Sequence, residues 1–119
     1  MTCHIARRAG QFERRLRRHR REVQRALEGT DAELLSLERP YREESVDDAA
    51  TETTRRLLAH LEERDRHVLA EIDAAEDRLS RGTFGICGAC GRSIPLPRLR
   101  ALPLARLCIA CEETVERTA

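Results

Sequence analysis

Phe84–Gly91 reads FGICGACG and Leu107–Cys111 reads LCIAC, and these two stretches decide the fold. Each contains one Cys-x2-Cys pair, Cys87 with Cys90 and Cys108 with Cys111, and 17 residues separate the pairs. A Cys-x2-Cys turn wraps two thiolates around one side of a metal. Two such turns complete the closed tetrahedron that structural Zn2+ prefers. The spacing therefore predicts a single Zn2+ held by Cys87, Cys90, Cys108 and Cys111. Gly85, Gly88 and Gly91 surround the first pair, where a tight knuckle needs backbone freedom. Two disulfides or four buried thiols are the alternatives, and the doubled spacing argues against both. Four sulfur ligands leave no coordination position for water or substrate, so catalysis by the metal is not expected. The segment between the pairs is rich in Leu and Pro and offers the metal apolar cover. Arg92, Arg98, Arg100 and Arg106 lie in it and can offset the negative charge of four thiolates around a dication.

Upstream of the cysteines the pattern changes to helical. The chain has 119 residues, no Trp, one Tyr and two Phe, and 36% of it is charged. That composition suits long exposed helices with a narrow apolar seam and needs a staple to be stable. Phe12, Leu16, His19, Val23, Ala26 or Leu27, Thr30, Leu34 and Leu37 recur at steps of three and four, the heptad stripe of a helix facing a partner. Gly29 weakens this helix by about 1 kcal/mol relative to Ala. Thr30 with Glu33 offers a capping box at which the helix could restart, but a continuous or slightly kinked helix is favoured. Pro40 ends it. Ser45 then caps a second helix, with Asp47 and Asp48 in its first turn against the N-terminal dipole. Thr51, Thr54, Leu58, Leu61, Asp65, Val68, Ile72, Ala75 and Leu79 form its stripe, Glu52–Arg56 and Glu62–Arg66 add pairs one turn apart, and Gly82 stops it.

Two such helices joined by a short turn predict a mainly α protein: an antiparallel two-helix coiled-coil hairpin plus a small C-terminal zinc-finger module with four cysteine ligands. The predicted division is a loose tail over 1–10, the hairpin over 11–82 with an acidic tip at 39–48, and the zinc module with its tail over 83–119. A homodimeric bundle is the alternative use of the same stripes, and a monomer is favoured.

Net charge is +1, so no global field draws the chain onto nucleic acid or membrane. Residues 7–25 nevertheless carry nine arginines against two glutamates. This basic stretch has no interleaved aromatic residues, and a solvated helix face explains it better than phosphate binding. All basic residues are Arg, which the codon usage of a GC-rich genome accounts for. No apolar run has the length of a secretory signal or of a membrane helix, so a cytoplasmic protein without a membrane partner is expected. His4, His19, His60 and His67 form no metal-ligand pair, and Cys3 stands alone as a mobile bystander. No phosphate loop or nucleophile motif is present, and the chain is read as a non-enzyme. Glu43, Glu44, Asp47 and Asp48 cluster in the turn, where an acidic tip can reach a Mg2+ or a basic loop inside a partner's cavity.

The tip SVDDAA at Ser45–Ala50, FGICGACG at Phe84–Gly91, RLRALP at Arg98–Pro103 and LCIAC at Leu107–Cys111 together resemble the TraR/DksA family of bacterial zinc-finger transcription factors. The likeness runs from about Leu16 to Glu113. It implies a regulator whose coil enters the secondary channel of RNA polymerase and places its tip near the active centre, without sequence-specific DNA contact. The family's D-x-x-D-x-A tip falls on Glu44, Asp47 and Ala49, with Glu in place of the first Asp. Family members hold the alarmone ppGpp with basic residues near the zinc module. The corresponding positions are Glu71, Leu102 and Glu112, so the resemblance implies that this composite site is not built. A nucleic-acid-binding zinc module and a structural coiled-coil adaptor are the other functional readings.

Overall fold

The computed structural model describes residues 3–37 and 48–118. Among the described residues four helices follow one another: α1 (Cys3–Leu37), α2 (Asp48–Arg81), α3 (Leu96–Ala101) and α4 (Ile109–Thr118). Among the described residues the sheet content is one antiparallel bridge, between Ile86 and Ser93. The fold is mainly α, with two long interacting helices and a C-terminal cysteine cluster.

The chain divides into two compact units, Met1–Arg18 with Glu71–Ala119, and His19–Ala70. This is not the division expected at Gly82. The cysteine segment has too few apolar side chains to make a core alone. Phe84, Cys87, Ile94 and Leu99 are buried together with Ile5, Phe12 and Leu16 of α1 and Ile72 and Ala75 of α2. The rings of Phe12 and Phe84 lie 5.1 Å apart, tilted by 50°, a geometry in which the electropositive edge of one ring meets the face of the other.

The loose tail expected over 1–10 is corrected by the same core. Helix α1 begins at Cys3, and Ile5 is 1% exposed. Burying one Ile side chain contributes about 1.5–3 kcal/mol, enough to order a turn of helix that would otherwise fray. Helix α2 ends as a Schellman motif. Gly82, at φ 76°, gives its N–H to the carbonyl of Leu79 at 3.3 Å, and Thr83 gives its N–H to the carbonyl of Arg78 at 2.9 Å. These are the two bonds that satisfy the last carbonyls of a helix when a residue can turn left-handed. Phe84 also donates to Arg78, at 3.1 Å.

In the second unit the helices are antiparallel: Asp31 meets Arg66 at 3.7 Å, and Leu37, farther along α1, meets Arg55, earlier on α2. The stripe of α1 is as expected, with Val23 and Leu27 buried and His19, Thr30, Leu34 and Leu37 half-buried. Ala26 is exposed, so Leu27 is the seam residue. Helix α1 runs through Gly29 without a break, and Thr30 Oγ1 donates back to the Ala26 carbonyl at 2.9 Å instead of capping a new helix. The stripe of α2 departs from the expectation at two places. Thr54 and Leu61 are exposed, and Arg55 and Glu62 are half-buried in their stead. At Arg55 the guanidinium donates to the carbonyl of Leu37, the last described residue of α1, at 3.2 Å. The arginine stem supplies the apolar cover that a leucine would have given. Both expected pairs on α2 form, Glu52–Arg56 at 3.4 Å and Glu62–Arg66 at 3.2 Å.

Candidate metal centre

The first cysteine pair sits on a tight loop made by two left-handed glycines. Gly85 has φ 82° and Gly91 φ 74°. Gly85 is also where backbone passes closest to the core: a Cβ there would lie 3.2 Å from Leu99 Cδ1 and 3.4 Å from Ile5. Gly88 does not take a left-handed φ, contrary to the expectation of backbone freedom at all three glycines. Its N–H instead donates to the Arg106 carbonyl at 3.0 Å, tying the first knuckle to the chain just before the second. The loop is closed by Cys87 donating to the Arg92 carbonyl at 2.8 Å, Gly91 to the Cys87 carbonyl at 3.0 Å and Ile94 to the Gly85 carbonyl at 2.7 Å.

The second pair opens a helix. Glu112 donates its N–H to the Cys108 carbonyl at 2.9 Å, so Cys108 stands at the N-terminal boundary of α4 and Cys111 in its first turn. Arg98, half-buried, donates from Nε to the Leu107 carbonyl at 3.2 Å and steadies the approach to that turn. The side chains of Arg92, Arg100 and Arg106 are exposed, and the Arg100 carbonyl accepts a hydrogen bond from Arg15 of α1.

These two turns bring all four sulfurs within 4.8 Å of one another, with Cys90 and Cys108 Sγ 3.8 Å apart. A disulfide needs about 2.05 Å, so this pair is not bonded. Four sulfurs at a Zn–S distance of about 2.3 Å on a tetrahedron would stand roughly 3.8 Å apart, and the cluster therefore has the size and donor set of a metal site. Cys87 is buried, Cys108 and Cys111 are half-buried and Cys90 is exposed.

The thiols are electrostatically unequal. Cys87 is pulled down to about 6, chiefly by the backbone N–H of Cys108 and then by that of Cys90. Cys111 is pushed up to about 12, first by sharing a hydrogen with Cys108 and then with Cys87. The N-terminus of α4 favours thiolates, but at Cys111 the neighbouring sulfurs outweigh it. Four thiolates repel one another, and a dication removes that conflict. Arg78 is also perturbed: its pKa is lowered first by burial and then by the nearby charge of Arg106.

Of the other residues singled out in the sequence, Ala49 lies exposed in the first turn of α2. Glu44, Asp47 and the rest of the expected tip up to Asp47 lie outside the described residues. Leu102 is 53% exposed, Glu71 and Glu112 are half-buried, and no basic side chain occupies these three positions. The supports that sequence reasoning missed are Ile5, packed on the knuckle, and the carbonyls of Arg92 and Arg106. Ile5 carried a signal, since it stands one heptad before Phe12; backbone acceptors carry none. Among the described residues no helix is long and apolar enough to cross a membrane.

Two long interacting helices followed by a pair of Cys-x2-Cys turns that gather four sulfurs define a helical protein with a C-terminal four-cysteine module. Residues 82–117 match the family described as the prokaryotic dksA/traR C4-type zinc finger. The structure of transcription factor DksA2 from Pseudomonas aeruginosa is similar over 93% of this chain and 84% of that one, at 40% identity and a TM-score of 0.84. The RNA polymerase-binding transcription factor DksA of Caulobacter vibrioides is 36% identical over 60% of this chain and 51% of its own. An uncharacterised protein of Aquifex aeolicus is 47% identical over 54% of this chain and 44% of its own. The matches to these last two span about half of each relative's length. The chain belongs to the DksA/TraR family of C4-type zinc-finger proteins.

Proposed function

We propose that this chain is a cytoplasmic, non-enzymatic transcription regulator that binds RNA polymerase as a monomer through the secondary channel. The observation that carries the reading is the match to a transcription factor along 93% of the chain. In this reading Cys87, Cys90, Cys108 and Cys111 hold one structural Zn2+. The size and donor set of the cluster support that ion, and its role is to clamp the two knuckles. The segment joining α1 to α2 enters the polymerase together with Ala49, and Glu44 and Asp47 act as fixed charge beside the catalytic metal or its mobile loops. Charge held in a site shielded from water acts far more strongly than at a surface. Contact with DNA sequence is not required.

The same reading excludes the composite ppGpp site. Glu71, Leu102 and Glu112 offer two carboxylates and an apolar chain where an anionic ligand needs cations. The test is promoter-complex lifetime measured with the full chain, with and without ppGpp, alongside co-purification with polymerase. Asp47→Asn is expected to abolish the effect on lifetime while leaving co-purification intact. Parallel loss of both would refute this division of labour, and strong potentiation by ppGpp would refute the absence of the alarmone site.

A further inference from the structure

Within the unit His19–Ala70, helix α2 carries two lines of side chains at heptad spacing. Arg55, Leu58, Glu62, Asp65 and Leu69 form the half-buried line. Beside it run Thr54, Leu58, Leu61, Asp65 and Val68, with the same alternation of three and four. The lines share Leu58 and Asp65, and at about 100° per residue their centres lie about 60° apart. The second line is the more apolar, and Leu57 stands at its edge. Thr54, Leu57 and Leu61 are nevertheless exposed, while Arg55 and Glu62 are half-buried. In the last turn of α2 within this unit Val68 and Leu69 are both half-buried, so the two lines meet there.

The observed seating is poorly sealed. Between residues 49 and 70 no side chain of α2 is fully buried, and Arg55 Nε is shut off from solvent without a hydrogen-bond partner. A buried donor left unpaired costs stability, and so does a leucine in water beside a carboxylate that is partly out of it. Two contacts to α1 favour this seating: the bond from Arg55 to the Leu37 carbonyl, and the long Asp31–Arg66 pair. The Glu52–Arg55 and Glu62–Arg66 pairs lie within α2 and survive its rotation. We propose that α2 has a second seat in this unit, reached by turning about 60° on its own axis. There Leu57 and Leu61 pack towards Leu34 and Leu37 of α1, and Arg55 and Glu62 turn out to water. The Cα atoms move by only about 2.4 Å, at a helix radius of about 2.3 Å. Small changes in winding supply such a turn, since a helix drifts by about 20° per heptad between a straight and a supercoiled path. The rotation exchanges an apolar flank for a charged one, so a partner that reads either flank selects a seat.

The test uses the metal-loaded full chain with 13C-labelled Leu and Val methyls and no polymerase. Relaxation dispersion should detect exchange at Leu57, Leu61 and Val68 with a second state populated at about 1–10%, and none at Leu99, fully buried in the other unit. Leu57→Gln with Leu61→Gln, at two exposed positions, disfavours the second seat and should quench the exchange at Val68. Arg55→Glu removes the bond to Leu37, and attenuation of the Leu57 and Leu61 methyls by a soluble paramagnetic agent should then fall at least twofold. Absence of exchange in the parent overturns the proposal. Exchange that persists in the double variant also overturns it, since the helices then open instead of turning. So does an Arg55→Glu chain in which Leu57 and Leu61 are as exposed as in the parent, or more so.

Discussion

Gly85 and Gly82 both adopt left-handed backbone, yet replacing each by Ala should have very different consequences. At Gly82 a Cβ meets nothing within 4 Å, so Gly82→Ala carries only the cost of the left-handed conformation, about 1–2 kcal/mol. At Gly85 the same conformational cost applies, and the new methyl stands 3.2 Å from Leu99 Cδ1 and 3.4 Å from two atoms of Ile5. Both neighbours are fully buried, so they cannot swing into solvent. Overpacking of this kind adds about 1–2 kcal/mol, the lower half of the usual range because a few tenths of an ångström relieve it. The total for Gly85→Ala is about 2–4 kcal/mol. With a urea dependence of about 1.5 kcal/mol per molar for a protein of this size, the midpoint falls by about 1.3–2.7 M. The assay is urea unfolding of the metal-loaded chain, followed by circular dichroism and by metal transfer to a chromogenic chelator. Metal release should move with the Gly85→Ala transition, because the glycine lies two residues before Cys87. A Gly82→Ala variant as unstable as Gly85→Ala would refute the argument that close packing under the knuckle, and not backbone sign alone, holds this unit together.

Phe12→Ala and Phe84→Ala should each lower stability by about 3–5 kcal/mol. Their double-mutant cycle should show a coupling of about 0.5–1.5 kcal/mol from the tilted ring pair; additive losses would show that the rings do not touch in solution. The Asp31–Arg66 pair is long and both side chains are largely exposed, so its coupling should stay below about 0.5 kcal/mol and vanish in high salt; a value above about 1 kcal/mol would mean that it is shielded from water. Zn2+ binding to the metal-free chain should release protons at neutral pH, because Cys111, held up at about 12, is still protonated there while Cys87, at about 6, is mostly ionised. Affinity should therefore rise with pH over the neutral range. Calorimetry in buffers of different ionisation enthalpy measures this release, and identical heats in all of them would contradict it.

The gathering of the four cysteines was legible because it is a matter of residue type and spacing, and local turns deliver both. The seam of α1 was legible for a similar reason: period alone separates Val23 and Leu27 from their exposed neighbours. Two things were not. The packing of Ile5 against Gly85 joins residues 80 positions apart, and helical period reports which side of a helix is buried without saying what lies on it. Gly10 and the arginines around it also masked the heptad that links Ile5 to Phe12. In α2, Leu57, Leu58 and Leu61 offer more than one apolar line. Among the described residues the line taken is the one that also brings Arg55 to the Leu37 carbonyl of the other helix. Counting apolar residues therefore placed Thr54 and Leu61 in the seam and passed over Arg55 and Glu62.

Helix α4 contains no buried residue, although it starts inside the second cysteine pair. Its ten residues carry no fully buried side chain, and Cys111, half-buried in the first turn, is its link to the sulfur cluster. Substitutions at Glu113, Val115 or Glu116 consequently leave the rest of the molecule untouched. With Zn2+ held as proposed above, swapping that ion for one of different radius, or breaking a single metal–sulfur bond, would re-aim the segment.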